Sequence, residues 1–213
     1  MSYQPIKQWY LKPFSWVARC QRVNLQDQFI KYGCRLFDFR VRYDKNGDLT
    51  FAHGRACFHG HVETYIGELN DLAANAYGPT YARIILESNS EMKDQASQEE
   101  HFKLFCEYIQ KTYTNLIFFG GNRKYDWEVV YDFKAEEPTL DDKYSSTTEL
   151  FGGEHGSLRA KIDDIYPWLY AKLYNKKNIK KGTDKDCLFI DFVDMIPECD
   201  HGLEILDVMS PLL

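Results

Sequence analysis

Apolar residues follow two different periods along this sequence, and these periods mark helices and strands in turn. Four segments have apolar residues at helical spacing, and they span residues 24–32, 61–77, 98–113 and 164–177. Six shorter runs are rich in apolar, β-branched and aromatic residues, as strands are, and they span residues 34–43, 49–53, 83–88, 116–120, 127–133 and 187–193. The pattern therefore predicts helices interleaved with strands.

This interleaving is typical of an α/β domain in which helices cover a largely parallel sheet. A (β/α)8 barrel of the TIM type has eight strands and typically ~250 residues, whereas this chain has 213 residues and six predicted strands. A barrel built from it would be short and irregular. No internal repeat and no linker rich in Pro, Gly or Ser divides the sequence, so residues 1–213 are predicted to form one domain.

Composition and charge narrow the classes of function. The chain has 26 basic and 32 acidic residues and a net charge of -6, which argues against a non-specific nucleic-acid binder. Its six cysteines are sparse and form no CxxC pair, so we expect no disulfide scaffold. No apolar stretch approaches the ~18 residues of a membrane span, and the N-terminus has no apolar signal region. The sequence predicts a soluble chain without a signal peptide or transmembrane segment.

Charged residues inside the predicted strand 34–43 are the main anomaly of the pattern. Asp38 and Arg40 lie two positions apart, so they point to the same face, opposite Phe37 and Phe39. An unpaired buried charge is expensive. The two residues are therefore expected either to face a barrel interior or its open end as part of a site, or to pair with each other as a structural ion pair.

His53 ends the next predicted strand, which follows a turn rich in Asn, Asp and Gly over residues 43–48. In a parallel α/β barrel the strand ends carry the catalytic side chains, so His53 is a candidate acid or base beside the charged pair. His53 also belongs to a dense group with Cys57, His59 and His61, but their spacing matches no common zinc pattern. We therefore predict no metal and no cofactor.

Two more predicted strands place polar residues near their ends. Glu87 and Asn89 follow the apolar run of residues 83–86, and Asp191 lies inside the last predicted strand. A satisfied buried carboxylate or amide explains each one singly. Four strands that converge on polar groups together favour a binding or catalytic site.

Several stretches of the sequence carry a resemblance to a known family. In the first third they are residues 4–8 (QPIKQ), residues 16–21, residues 33–40 (GCRLFDFR) with Gln28 before them, and the pair His53-Gly54; later they are residues 140–144 (LDDKY) and 189–193 (FIDFV). Together they resemble the X domain of phosphatidylinositol-specific phospholipase C in its metal-independent bacterial form. The resemblance covers most of the chain and is more specific in the first third.

The resemblance implies an irregular TIM barrel, with a missing or distorted first strand, that acts as a phosphoric diester hydrolase on phosphatidylinositol or its headgroup. In the roles it implies, Arg40 stabilises charge that develops on the phosphate, and His53 protonates the leaving diacylglycerol oxygen. Asp38 resembles a supporting carboxylate, and Asp191 resembles the carboxylate that orients a second catalytic histidine. Because Arg40 stands where calcium-dependent relatives have an acidic ligand, the resemblance also implies metal independence.

A substrate-binding set follows from the same resemblance. Asp142 and Tyr144 match inositol-contacting positions, Arg123 aligns with a further headgroup residue, and Asn89 lies near a headgroup-binding lysine of bacterial enzymes; Glu87 lies at the same strand end as Asn89. The implied partner is an inositol phospholipid or an inositol phosphate, with a transient contact to a membrane surface. Aromatic candidates for that contact are Trp9, Tyr10, Phe14, Trp16 and Phe58.

One motif of the family has no counterpart here. The family's first strand ends in a His-Asp or His-Asn motif whose histidine takes the proton from the inositol 2-hydroxyl, and this sequence has no such motif. The chain is expected either to begin after that strand or to have lost its general base. Two alternatives stay open: a catalytically impaired module that binds an inositol phosphate or anionic headgroup, and a metal-dependent glycerophosphodiesterase-like barrel, suggested by the polar turn before His53 and by Glu87.

Overall fold

The computed structural model describes residues 3–87, 94–122, 145–146, 166–181, 188–189 and 191–196. The α-helices in these residues are α1 (Ser15–Ala18), α2 (Leu25–Ile30), α3 (Val62–Ala73), α4 (Gln95–Thr112) and α5 (Pro167–Lys181). Two short 3-10 helices, Trp9–Phe14 and Val193–Met195, lie before α1 and near the end of the described chain.

The strands form one main sheet and one separate pair. The strands are β1 (Leu36–Tyr43), β2 (Leu49–His53), β3 (Ala56–His61), β4 (Tyr81–Leu86), β5 (Ile117–Asn122), β6 (Ser145–Ser146) and β7 (Leu188–Phe189). The five-stranded sheet has the order β3-β2-β1-β4-β5, and β6 pairs with β7. The β1, β4 and β5 strands are parallel to each other, whereas β2 and β3 are antiparallel additions at one side.

Alternation along β1 explains how this strand serves both the core and a polar face. Phe37, Phe39 and Val41 are buried in the main apolar cluster. Asp38 and Arg40, which point to the other face, are only half-buried. The central strand of the sheet therefore carries its charges on a face that the apolar core does not cover.

Three helices, α2, α3 and α4, bury an apolar face in the main cluster. In α2 the cap is local, because the Asn24 side chain accepts a hydrogen bond of 2.7 Å from the Asp27 backbone N–H. In α3, Ile66 and Leu69 are fully buried against the sheet cluster. These contacts fix α2, α3 and α4 on the core side of the sheet, whereas α5 contacts α1 and the second 3-10 helix.

The predicted TIM barrel is wrong, because the described strands form an open mixed sheet. A barrel requires the first and last strands to pair. Here the turn at residues 44–48 reverses the chain, and the outer side of β3 is covered by the N-terminal segment instead of by β5. Lys7 N donates to Cys57 O at 2.8 Å and His59 N donates to Pro5 O at 2.9 Å.

Most predicted elements in the described residues are present. The predicted helices correspond to α2, α3, α4 and α5, with ends displaced by up to four residues. The last predicted strand is reduced to β7, and the predicted strand at 127–133 lies outside the described residues. The sequence pattern missed β3 and both helices of residues 9–18. Within the described part of the chain, every helix is too short or too polar to cross a bilayer.

Candidate functional site

Charged side chains on β1 and at the end of β4 form one ion-pair network. Arg40 Nε donates to Asp38 Oδ2 at 3.1 Å, and Arg40 Nη1 lies 3.8 Å from Glu87 Oε1. Arg83, which is opposite Asp38 in the parallel register, places its Nη1 3.9 Å from Asp38 Oδ1. Two arginines and two carboxylates therefore alternate across neighbouring parallel strands.

Burial makes this network different from a surface ion pair. The Glu87 side chain is 4% exposed, whereas that of Arg40 is 29% exposed. Burial acts to lower the pKa of Arg40, but the adjacent Asp38 carboxylate, together with Glu87, outweighs it and raises that pKa above its ordinary value. Arg40 is thus a fixed cation that still reaches solvent. Its guanidinium has five N–H donors, so donors remain for a ligand.

His53 ends β2 beside this network and is oriented by a backbone carbonyl. Its Nδ1 lies 3.0 Å from Ala18 O. A carbonyl oxygen only accepts, so we assign the proton of the neutral ring to Nδ1. The other ring nitrogen, Nε2, is then the atom able to exchange a proton with a ligand.

Cys20 lies between the groups that the sequence singled out, and sequence reasoning missed it. Its Sγ is 3.6 Å from His53 Nδ1. Burial raises the pKa of the Cys20 thiol well above its ordinary value, and the negative charge of Asp191 adds to this rise, while Arg40 opposes it. The thiol therefore stays protonated at neutral pH and donates to Asp191, so it is a poor nucleophile.

Asp191 reaches the cluster from an irregular segment instead of a strand. It lies two residues beyond β7, and Phe192 after it is the one non-glycine residue with positive φ in the described chain, at φ 52°. Asn175 of α5 holds the segment, because its Nδ2 donates to Asp191 O at 2.8 Å and to Phe192 O at 3.4 Å. Phe192 N donates to Cys20 O at 2.6 Å.

Residues 18–22 act as a connector between His53 and the Asp191 segment. Ala18 contacts His53 at one end of the connector. At the other end, Gln21 Oε1 accepts a hydrogen bond of 3.0 Å from Val193 N, and Arg22 pairs with Asp194. The connector fixes the position of Asp191 relative to β2.

The predicted site residues separate into two groups. The structure brings together Asp38, Arg40, His53, Glu87 and Asp191 around Cys20 and β1. Asn89, Arg123, Asp142 and Tyr144 lie outside the described residues. The sequence pattern gives no signal for Cys20, Asn175 or the Ala18 carbonyl, because each acts from a segment or a helix face without strand alternation.

Other histidines and acidic residues in the described chain lie elsewhere. His59 and His61 are exposed on β3, and His101 is exposed on α4. An open depression of about 500 Å³ on α3 is lined by residues that include His61, Glu63 and Asp71. Its carboxylates do not suit a phosphate. Across the residues that the structure describes, no three His, Cys, Asp or Glu side chains are arranged to hold a metal ion.

Comparisons with known proteins do not assign this chain to a family. The chain matches no protein-family model and no curated protein. The resemblance to the phospholipase C family therefore depends on the residues quoted above.

Proposed function

We propose that this chain binds the phosphodiester of an inositol phospholipid, or of its soluble headgroup, and cleaves it slowly without a metal ion. The proposal keeps the chemistry that the resemblance implies but not its barrel. It places the reaction at the face of β1 that carries Arg40, next to the end of β2.

One observation carries the proposal: the Cys20 thiol lies beside His53 and Asp191 and within the electrostatic influence of Arg40. Its Sγ lies 3.6 Å from His53 Nδ1 and it donates to Asp191, while the charge of Arg40 acts to lower its pKa. A permanent cation, an imidazole and a carboxylate are thus close together. A structural ion pair between Asp38 and Arg40 explains neither the imidazole nor Asp191.

The chemistry assigned to each group follows from its protonation. Arg40 holds the phosphate oxygens and stabilises the charge that develops on them. The inositol 2-hydroxyl forms a new bond to phosphorus and releases its proton to water, while the bond to the diacylglycerol oxygen breaks. His53 acts in its doubly protonated form: Nδ1–H stays on the Ala18 carbonyl, and Nε2–H gives its proton to the leaving oxygen. Because the other described histidines are exposed elsewhere, none takes the hydroxyl proton. Lack of a positioned base typically costs ~10² to 10⁴ in rate, so turnover is expected to be slow.

The ion-pair network favours this chemistry over that of a metal-dependent glycerophosphodiesterase. Asp38 and Glu87 are the carboxylates at the centre of the site, and both face Arg40. A divalent cation bound by these two carboxylates would lie against the guanidinium, and like charges at that distance repel. Arg40 supplies the positive charge that the metal would otherwise supply.

A second candidate function is binding without turnover. The observation that favours it is that His53 is the one described histidine in the cluster. A module with Arg40 and His53 but no base would hold an inositol phosphate and release it unchanged. Isothermal titration with inositol 1-phosphate measures this binding directly, and binding with no detectable cleavage would support the second function against the first.

The test of cleavage uses phosphatidylinositol in detergent micelles and glycerophosphoinositol in solution, each with and without EDTA. We expect release of an inositol phosphate from both, unchanged by EDTA. Arg40→Ala and His53→Ala are each expected to lower the rate at least about 100-fold. His101→Ala, which changes an exposed histidine on α4, is the matched control and should leave the rate unchanged.

Two results would overturn the assignment. Full turnover by His53→Ala would remove the proton donor from the mechanism. Loss of activity in EDTA that returns with added Ca²⁺ or Mg²⁺ would favour the metal-dependent alternative.

A further inference from the structure

The ring nitrogen of His53 that takes no part in proton transfer lies beside two acceptors of different strength. Its Nδ1–H donates to the Ala18 carbonyl oxygen at 3.0 Å, and the Cys20 sulfur lies 3.6 Å from the same nitrogen. A thiol sulfur is a weak acceptor, and its S–H is a weak donor. The sulfur can therefore accept from Nδ1–H and donate its own proton elsewhere at the same time.

The group that receives the proton of the Cys20 thiol is a carboxylate. The thiol donates to Asp191, and this carboxylate has a larger electrostatic influence on the sulfur than Arg40 has. Hydrogen bonds that form a chain polarise one another, and they are electrostatically stronger inside a protein than in water. Negative charge on Asp191 therefore makes the sulfur a better acceptor for the Nδ1–H of His53.

Hydrogen bonds next to Cys20 and Asp191 hold these two side chains together. Phe192 N donates to Cys20 O at 2.6 Å, which joins the two segments directly. Asn175 Nδ2 of α5 donates to Asp191 O at 2.8 Å. The separation of the thiol and the carboxylate is thus fixed by the backbone on either side of their contact.

We propose that Asp191 acts on His53 through the Cys20 thiol: the carboxylate accepts the S–H, and the sulfur accepts from Nδ1–H. This link stabilises the doubly protonated ring that gives a proton to the leaving oxygen. Cys20 and Asp191 are positioning residues in it, because neither touches the reacting atoms. The use of the ring as an acid rests on the proposed function, but the link itself is measured without any cleavage.

The elements around His53 carry other charges, and the variants that test the link leave all of them in place. They belong to the ion-pair network of β1 and β4, to the turn after β2 and to the connector, and they are Asp38, Arg40, Arg83, Glu87, Arg55 and Arg19. The network pairs two arginines with two carboxylates, so its own net charge is close to zero. A comparison of variants at Cys20 and Asp191 therefore isolates the effect of the link.

The experiment is an NMR titration of the imidazole groups in the full chain, with the His53 signal assigned by its loss in His53→Gln. A negative charge favours the protonated ring, so its removal lowers the pH at which half of the rings are protonated. We expect Asp191→Asn to lower this midpoint by at least about 0.5 unit. Cys20→Ser keeps a hydroxyl that donates to Asp191 and accepts from Nδ1–H, so its midpoint should stay within about 0.2 unit of the wild type.

A double-variant cycle separates the link from a direct effect of the carboxylate on the ring. In a Cys20→Ala background, Asp191→Asn is expected to lower the His53 midpoint by less than about half as much as in the wild type. A carboxylate that acts on the ring directly through space would give the same shift in both backgrounds. A purely structural role for Cys20 would lower stability without making the midpoint depend on Asp191.

Matched controls change charge away from the link. Asp48→Asn removes an exposed carboxylate at the other end of β2 and should leave the His53 midpoint unchanged. The exposed His59 and His101 appear in the same spectra. Their midpoints should be alike in the wild type and in the variants at Cys20 and Asp191.

Two results would overturn the link: a His53 midpoint that Asp191→Asn does not change, and an equal shift by Asp191→Asn with and without Cys20. Glycerophosphoinositol cleavage separates the link from the proposed function. A midpoint shift in a chain that shows no cleavage would count against the proposed function alone. Cleavage that depends on His53, with no midpoint shift in Asp191→Asn, would count against the link alone. If both proposals hold, the alkaline limb of the kcat/KM profile moves to lower pH in Asp191→Asn by the amount that the titration measures.

Discussion

The candidate site has two halves that are built in different ways. One half is carried by strands: Asp38 and Arg40 alternate along β1, and Arg83 lies opposite Asp38 on β4. The other half is carried by irregular segments: Cys20 follows a four-residue helix, and Asp191 follows a two-residue strand. His53, at the end of β2, is the point at which the two halves meet.

The difference lies in what fixes each half in place. Backbone ladders on both sides of β1 hold the strand-borne charges, so their separation is set by the register of the sheet. The segment-borne groups have no ladder, and a few single hydrogen bonds hold them instead, among them those from Asn175 and Phe192. We infer that the strand-borne half keeps its backbone position when one contact is lost, but is destabilised when one of its charges is removed. The segment-borne half is destabilised by the loss of any one of its few hydrogen bonds.

The largest expected effect is loss of the cation from the strand-borne half. Arg40→Met leaves the Asp38 and Glu87 carboxylates together without the guanidinium that both contact, and removal of one partner of a buried pair typically costs 3–5 kcal/mol. Because Arg40 is partly exposed, we expect a loss of about 3 kcal/mol in the free energy of unfolding at pH 7. Denaturant unfolding followed by circular dichroism measures it.

The same substitution in the segment-borne half provides the comparison. Arg22→Met breaks the ion pair with Asp194, but the Arg22 side chain is 45% exposed, so we expect a loss of about 1 kcal/mol or less. Adding Glu87→Gln to Arg40→Met removes a buried charge and should recover part of the stability. Equal losses for Arg40→Met and Arg22→Met would show that burial does not distinguish the two halves.

Loss of one hydrogen-bond donor tests the second half. Asn175 is 1% exposed, and Asn175→Ala leaves the carbonyls of Asp191 and Phe192 without its amide. A buried acceptor that loses its partner costs ~1–3 kcal/mol, and we expect a loss of about 2 kcal/mol in the free energy of unfolding. Thermal and denaturant unfolding both measure it.

The control for this variant is an exposed asparagine with a similar contact. Asn115 Nδ2 donates to Asn70 O at 3.4 Å on the surface, where water replaces a lost donor. Asn115→Ala should therefore cost less than about 0.5 kcal/mol. A cost for Asn175→Ala as small as that of Asn115→Ala would mean that the Asp191 segment does not depend on α5.

The helices and strands of the fold could be predicted because the spacing of apolar residues along the sequence indicates them. The strand alternation of residues 36–41 and the helical spacing in α3 and α4 are properties of adjacent residues. Closure of a barrel is not a property of adjacent residues, because it depends on which strands at the edges of the sheet pair with each other. The backbone of residues 5–7 pairs with β3, and no pattern in Pro5, Ile6 or Lys7 indicates this.

The site was predictable to a similar extent. Asp38, Arg40, His53 and Glu87 stood out because charged residues at strand positions violate the apolar pattern. Cys20 did not stand out, since a cysteine in a short irregular segment is usually an inert apolar residue. What makes it part of the site is its distance from His53, and that distance is a result of the fold.

The smallest expected effect concerns the protonation of Cys20. The pKa of its thiol is raised in the folded protein by burial and by Asp191, whereas in the unfolded chain it returns to an ordinary value near ~8.5. Above that pH the unfolded chain loses a proton that the folded chain keeps, so the free energy of unfolding falls as pH rises. At pH 9.5, one unit above, this single group accounts for at most about 1.4 kcal/mol.

Cys20→Ser isolates that contribution, because serine keeps a hydroxyl donor for Asp191 but does not titrate in this range. We expect the unfolding free energy of the wild type to fall more steeply than that of Cys20→Ser between pH 8 and 9.5, with no difference in slope below about pH 7. Tyr43 and Cys106, whose pKa values burial also raises, are common to both proteins and cancel in the comparison. In an Asp191→Asn background the difference in slope should shrink, because the charge that helps to raise the thiol pKa is gone. Parallel pH profiles for the wild type and Cys20→Ser would show that the thiol is in contact with water. That result would contradict the contact of Cys20 with His53 and Asp191, on which the segment-borne half depends.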